Sequence, residues 1–110
     1  MSAPLVSIIL PFVNESGLLR EAVQSILAQT YSNFELLLID NRADTSTVSI
    51  AKEFASTDRR LHILQENIRG ISHALNTGIR AAKGKLIARM DADDIAHPER
   101  IKKQVVRLQG

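Results

Sequence analysis

Leu5-Val6-Ser7-Ile8-Ile9-Leu10-Pro11 is a short, nearly continuous apolar run closed by a proline. A run of this length, rich in β-branched side chains, suits a strand buried on both faces. Three further runs have the same character: Phe34 to Ile39 ending at Asp40, Leu61 to Leu64, and Leu86 to Met90. Helical spacing fills the gaps between them. Leu18, Leu19, Ala22, Val23, Ile26 and Leu27 recur behind an Asn14/Ser16 cap candidate. Val48, Ala51, Phe54 and Ala55 mark a second helix, opened by Asp44-Thr45-Ser46. Ile71, Ala74, Leu75, Gly78, Ile79 and Ala82 give a third, entered at Gly70 and left at Lys83-Gly84, where Gly84 fits a C-cap. Pro98 opens a last helix on Ile101, Val105 and Leu108. Strand and helix alternate through residues 1–110, which predicts one α/β domain with an open parallel sheet flanked by helices.

Composition narrows the functional classes. The chain has 110 residues, enough to bury roughly two thirds of its unfolded surface in a real core. It has no cysteine, which removes disulfides, thiol catalysis and Cys-ligated zinc together. Aromatics make up 4% with no tryptophan, which argues against a stacking platform for nucleic acid. No apolar run approaches the ~20 residues that span a bilayer, and Met1-Ser2-Ala3-Pro4 lacks the features of a secretion signal. The charge is uneven: residues 97–110 carry Arg100, Lys102, Lys103 and Arg107 against Glu99, while the remainder is close to neutral. A basic final helix is ordinarily a solvated face, and peripheral contact with anionic lipid is the alternative use for it.

In open α/β sheets, ligands bind beyond the carboxyl ends of the strands, where strand order reverses. Those ends carry Pro11-Phe12-Val13-Asn14-Glu15, Asp40-Asn41-Arg42, Gln65-Glu66-Asn67 and Asp91-Ala92-Asp93-Asp94. A strand order of 3-2-1-4 would put the last acidic string at the mouth between strands one and four. Side chains two apart in extended chain point the same way, so Asp91 and Asp93 can converge on one centre. Hard oxygen donors of this kind suit Mg²⁺ or Mn²⁺ together with substrate phosphates. The competing reading is an acidic loop whose last Asp caps the next helix. An EF-hand is excluded, since Ala96 and Lys102 occupy its glycine and bidentate-glutamate positions. Asp40 could accept from a nucleobase N–H or ribose hydroxyl, or could close an Asx-turn. Arg69-Gly70 pairs a cation with a helix N-terminus, a phosphate clamp or a solvated loop. Arg89 could meet a phosphate or pair with Asp91. His97 is either a further ligand or an exposed helix-entry residue, and His62 and His73 have no evident partners. There is no G-x-G-x-x-G after the first strand, no P-loop and no G-x-S-x-G elbow. A phosphoacceptor receiver domain also fails, for want of an acidic pair after strand one and of a fifth strand.

Taken in order, these pieces resemble the N-terminal half of a family 2 glycosyltransferase. The stretches that carry the likeness are Val6–Pro11 with Asn14-Glu15, Ala22–Thr30, Phe34–Asp40, Gly70–Ile79, Lys83–Asp94 and Pro98–Ile101. The resemblance implies a Rossmann-like open parallel sheet of the GT-A type. It implies sugar transfer from a nucleotide diphosphate donor, most readily a UDP-sugar, with inversion at the anomeric carbon, to a glycan or lipid-linked acceptor. By position, Pro11, Val13, Glu15, Asp40, Arg69, Asp91, Ala92 and Asp93 would form the donor site. Asp40 would bind the base, Asp91 would lie near the ribose, and Asp93, with Asp91, would hold Mn²⁺ or Mg²⁺.

Three positions depart from the family pattern. Phe12-Val13 replaces the usual Thr-Tyr, so Val13 offers less to the base. Asp40-Asn41-Arg42-Ala43 replaces Asp-Asp-Gly-Ser, which removes a carboxylate and a flexible glycine. Asn67 and Gly70 are one residue further apart than usual. Members also run on well beyond the acidic string, into the part that carries the general base and the acceptor site. The chain therefore reads as a donor-binding portion, with its base expected beyond Gly110, in the cytoplasm or at the inner face of the membrane. A non-catalytic nucleotide- or metal-binding module is the alternative.

Overall fold

A computed structural model describes residues 3–14 and 16–109. Its elements are β1 (Val6–Phe12), α1 (Ser16–Leu27), β2 (Phe34–Asp40), α2 (Thr45–Thr57), β3 (Leu61–Gln65), α3 (Ile71–Ala81), β4 (Leu86–Arg89) and α4 (Arg100–Gln109). All strand pairs are parallel, as the sequence predicts, and their order is β3-β2-β1-β4, the order under which the acidic string falls at the mouth between β1 and β4. Every residue of β1 and β2 is buried, including Ser7, Glu35 and Asp40 within their largely apolar runs.

β1 runs past Pro11, where the apolar run predicts its end, and the reason lies in hydrogen-bond parity. Ile9 O accepts from Met90 N and Phe12 O accepts from Asn41 N, so odd residues of β1 face β4 and even ones face β2. The absent N–H of Pro11 therefore falls on the β4 side. Pairing there ends at Ile9 with Arg89, while Pro11 still pairs with Ile39 on the other side. A proline is tolerated in a central strand because it faces no ladder partner. It marks where β1 and β4 part, and so where the crevice opens.

Helices cover both faces. Val6, Ile8, Leu10, Phe12, Leu36 and Leu38 pack with Leu19, Ala22, Val23 and Ile26 of α1, Ala51 of α2, and Ile101 and Val105 of α4. The opposite face joins Ile9, Leu37 and Ile39 to Ala74 of α3. Fully burying each of these large side chains is worth about 1.5–3 kcal/mol, so the doubly covered β1–β2 pair holds the fold. β4 is an edge strand. Ile87 remains 46% exposed and Leu108 64% exposed, around a groove between β4 and α4.

One expectation for a helix end changes. Gly84 is not a C-cap, because α3 ends at Ala81 with an extended Ala82 as its cap. Gly84 instead lies against β1, where a Cβ would come within 2.5 Å of Ser7 N and 2.8 Å of Leu5 O. Its N–H donates to Ser7 Oγ (2.7 Å), and that hydroxyl donates to the buried Glu35 Oε2 (2.5 Å). Asn14 Oδ1 accepts from Asp44 N (2.9 Å), tying the loop after β1 to the one after β2. The cap of α2 is Asp44, which accepts from Thr47 N.

Candidate functional site

The acidic string leaves the end of β4 as a turn in which Asp94 N donates to Asp91 O (3.1 Å). Met90 and Ala92 are buried and anchor it, while the acids between and after them point outward. Carboxylate oxygens of Asp91, Asp93 and Asp94 lie within 4.8 Å of one another. Helix α4 begins only at Arg100, so Asp94 is not its cap. Arg89 donates to Asp91 Oδ1 through Nη2 (3.1 Å) and Nε (3.3 Å). Among the described residues nothing bonds the carboxylates of Asp93 or Asp94. Three hard oxygen donors converging on one point fit a Mg²⁺ or Mn²⁺ ion that shares its coordination sphere with phosphate and water.

The segment from Ala96 to Ile101 is clamped to α1 and its C-terminal end. Ser25 Oγ accepts from Ala96 N (2.9 Å). Gln29, 7% exposed, donates to His97 O (2.7 Å) and accepts from Ile101 N (3.0 Å), satisfying one of the free amides at the start of α4. His97 itself is exposed, its Nδ1 accepting from Glu99 N, and it does not join the carboxylates.

The end of β2 is held differently. Asp40, 7% exposed, accepts from Ala43 N through Oδ1 (2.8 Å), which is the turn-closing bond. No described residue bonds its Oδ2. Asn41 is 4% exposed and carries three bonds: Nδ2 donates to Glu66 O and Ile68 O, and Oδ1 accepts from Gly70 N, each at 2.9 Å. The residue that stands where the resemblance would place a second carboxylate thus laces the β2 and β3 loops together, and an ionised carboxylate could donate to neither carbonyl. Arg42, where the family has glycine, sits at φ 62°, so the loop keeps a left-handed turn without the glycine that favours it. Asn41→Asp should therefore cost about 3 kcal/mol, since two donors become an oxygen facing carbonyl oxygens. Chemical denaturation of the variant checks this, and an unchanged midpoint would contradict the role given to the amide.

Arg69 is committed to the same loop. Its Nη2 donates to Arg42 O (2.7 Å) and its Nε to Asn41 O (3.4 Å), and Nη1 has no described partner. Pro11, Phe12, Val13, Asn41, Arg69, Gly70 and Ile71 line a cleft of about 270 Å³. A neighbouring cleft of about 400 Å³ is lined by Pro11, Leu18, Ile71, Arg89, Asp91, Ala92 and Asp93. Pro11 and Ile71 belong to both, so the two form one crevice across the ends of β2, β1 and β4. Of the expected donor-site residues, Pro11, Val13, Arg69, Asp91, Ala92 and Asp93 line it. Asp40 lines neither cleft and lies buried at the end of β2, and Glu15 is outside the described residues.

Glu66 supports the far wall. It accepts from the Thr77 hydroxyl (2.5 Å) and from Ile68 N (2.9 Å), and these bonds hold its carboxyl below the ordinary value. The Thr47 hydroxyl and amide lower Asp44, and the Arg60 guanidinium lowers Asp58. A carboxylate depressed by folding stabilises the fold above its unfolded pKa and loses that contribution as pH falls through the folded value. Melting temperature should therefore hold steady from pH 7 to about 5 and fall below about 4. Melts that stay level down to pH 3 would contradict these three contributions.

With this geometry, the chain belongs to glycosyl transferase family 2, whose model matches residues 7–110. Glycosyltransferase GlyG of Streptococcus pneumoniae serotype 4 is 40% identical over 92 residues, 83% of this chain and 31% of that protein. Mannosyltransferase PcManGT of Pyrobaculum calidifontis, solved in complex with GDP-Man and Mn²⁺, is 33% identical with a TM-score of 0.80, over 90% of this chain and 30% of its own. Residues 1–349 of TarS from S. aureus share the fold at a TM-score of 0.85 and 21% identity, over 94% of this chain and 32% of that one. The chain spans 40%, 34% and 31% of the length of three curated relatives it matches. No helix among the described residues is long and apolar enough to cross a membrane.

Proposed function

We propose that residues 1–110 are the donor-binding portion of an inverting glycosyltransferase that takes its sugar from a nucleoside diphosphate. The observation that carries this reading is the crevice itself. At one end stand three neighbouring carboxylates, at the other an open cleft beside Arg69, and Pro11 joins them. The diphosphate lies over the carboxylate end, and the base lies toward Val13 and the loop held by Asn41. Asp40 joins this set as a base-binding residue by position, buried behind the crevice with one carboxylate oxygen fixed in the turn. Arg69 and Arg89 bring positive charge to the phosphates. Glu15 belongs to this set by position alone.

Asp91 and Asp93 would hold Mn²⁺ or Mg²⁺, which when bound neutralises the diphosphate and stabilises it as it leaves. The protein's own contribution is orientation. Buried Met90 and Ala92 fix the acids' backbone, and Gln29 and Ser25 fix the segment from Ala96 to Ile101. A UDP-linked sugar is the donor we put first. A GDP-linked sugar is the competitor, because the mannosyltransferase that is 33% identical holds GDP-Man. Among the described residues after Asp94 the only acid is Glu99, an exposed residue in the turn before α4, so we place the general base and the glycan or lipid acceptor site in sequence beyond Gly110. The reaction takes place in the cytoplasm, where nucleotide sugars are made, with the basic face of α4 available to the inner membrane surface. A non-catalytic nucleotide- or metal-binding module is the second reading, favoured by the loss of a stacking ring at Val13.

Calorimetric titration with UDP, UDP-sugars and GDP-Man, with and without Mn²⁺, tests the proposal. Metal-dependent binding of one nucleotide series is the expected result. Its absence at millimolar ligand in a folded sample would refute the donor site. Transfer to an added acceptor by these residues alone would refute the placement of the base.

A further inference from the structure

We propose that Arg89 is a placeholder cation, which occupies Asp91 in the free protein and moves to the donor's diphosphate when metal and nucleotide arrive. This rests on the proposed metal and donor site and adds a mechanism by which the two ligands bind as a unit.

The cluster of Asp91, Asp93 and Asp94 holds three carboxylates within 4.8 Å. Among the described residues Arg89 supplies the one guanidinium that touches it. Both of its bonds converge on a single oxygen, Asp91 Oδ1, at 3.1 and 3.3 Å. This lacks the two-oxygen fork that makes arginine–carboxylate pairs strong. The two side chains are 52% and 49% exposed, so the pair is easily exchanged. The backbone, by contrast, is fixed. Arg89 pairs with Ile9 at the last position of β4, and its carbonyl accepts from Arg100 Nη2 (3.4 Å). A fixed Cα and a half-exposed side chain let the guanidinium swing within the cleft it already lines with Asp91 and Asp93. Arg69 cannot do this, because its guanidinium is tied to the carbonyls of Asn41 and Arg42.

The charges then work against a lone metal ion. A divalent cation among these carboxylates is repelled by the guanidinium on Asp91. A diphosphate gives that guanidinium a better partner, with two charged oxygens that its planar fork can hold at once. Each ligand therefore eases the binding of the other, and by linkage the two effects are equal.

The test is Mn²⁺ binding followed by electron paramagnetic resonance of the free ion. It compares wild type, Arg89→Ala, Arg89→Gln and Arg89→Lys, each with and without UDP. Removing the positive charge should tighten binding of Mn²⁺ alone about three- to tenfold in both neutral variants. It should also shrink the factor by which UDP tightens Mn²⁺. Arg89→Lys should keep the wild-type affinity for Mn²⁺ alone and lose part of the UDP effect. Wild-type Mn²⁺ binding with unresponsive Ala and Gln variants would overturn the exchange and leave the metal site standing. If wild type also fails to bind Mn²⁺, the metal reading itself falls, and the exchange with it.

Discussion

Asp93→Ala should abolish the metal dependence of nucleotide binding while leaving the fold intact. The second half of that expectation makes the first informative. Asp93 is exposed, and no described residue bonds its carboxylate, so folding places no demand on the side chain. Its neighbours Met90 and Ala92 are buried and keep the turn in place without it. Changes to groups that merely support a metal ligand typically cost 10–100-fold in affinity, so loss of a direct ligand should cost about 100-fold or more. UDP affinity measured with and without Mn²⁺ should become equal in the variant, with melting temperature within a degree or two of wild type. Retained metal dependence would remove Asp93 as a ligand. Asp91→Ala would be a poorer choice, since it also frees Arg89.

Gly84→Ala should be the most damaging glycine-to-alanine change among the described residues. The added Cβ would lie 2.5 Å from Ser7 N and 2.8 Å from Leu5 O, both backbone atoms of or beside the central strand. Neither can turn aside, so β1 and the start of β4 must separate. That strains the bonds from Gly84 N to Ser7 Oγ and from Lys83 N to Glu35 Oε2, leaving a buried carboxylate short of donors. Overpacking alone costs about 1–3 kcal/mol, and an unsatisfied buried group adds about 1–3 more. A loss of about 3–5 kcal/mol, read by denaturant unfolding, is expected. Gly78→Ala makes a useful contrast. Its Cβ would reach 2.6 Å from Ile9 Cγ2, a side-chain atom with some room to yield, and it should cost less. Equal stability of Gly84→Ala and wild type would show that β4 is not held where described.

Much of the architecture can be read from the chain because it depends on local patterns. Apolar runs of four to seven residues, separated by helical spacing, define the elements, and the acids that come after the strands fall where an open parallel sheet collects ligands. The features that escape the sequence are set by partners far along the chain. Asn41 looks like an ordinary turn residue, yet its side chain bonds Glu66, Ile68 and Gly70 across 25–29 positions. Gln29 follows the last apolar residue of α1 with nothing in the sequence to mark it, and its side-chain oxygen accepts from Ile101 N across 72 positions. Gly84 resembles a helix stop because glycine is common there, whereas its lack of a side chain is used 77 positions away, against Ser7. Pro11 reads as the end of a strand, since the parity that excuses it depends on where β4 stops. The carboxylate cluster is the intermediate case. The spacing of Asp91 and Asp93 is visible, but the inclusion of Asp94 depends on the turn that bonds Asp94 N to Asp91 O.

The central claim is that a nucleotide donor and its metal lie together across the ends of β1, β2 and β4. Paramagnetic broadening in amide-resolved NMR tests it most directly. With UDP present, substoichiometric Mn²⁺ should broaden the amides of Ala92, Asp93 and Asp94 first. UDP with diamagnetic Mg²⁺ should shift Val13, Asn41 and Gly70. Broadening centred on the basic face of α4, or scattered over the surface with no UDP-dependent shifts at the strand ends, would contradict the account.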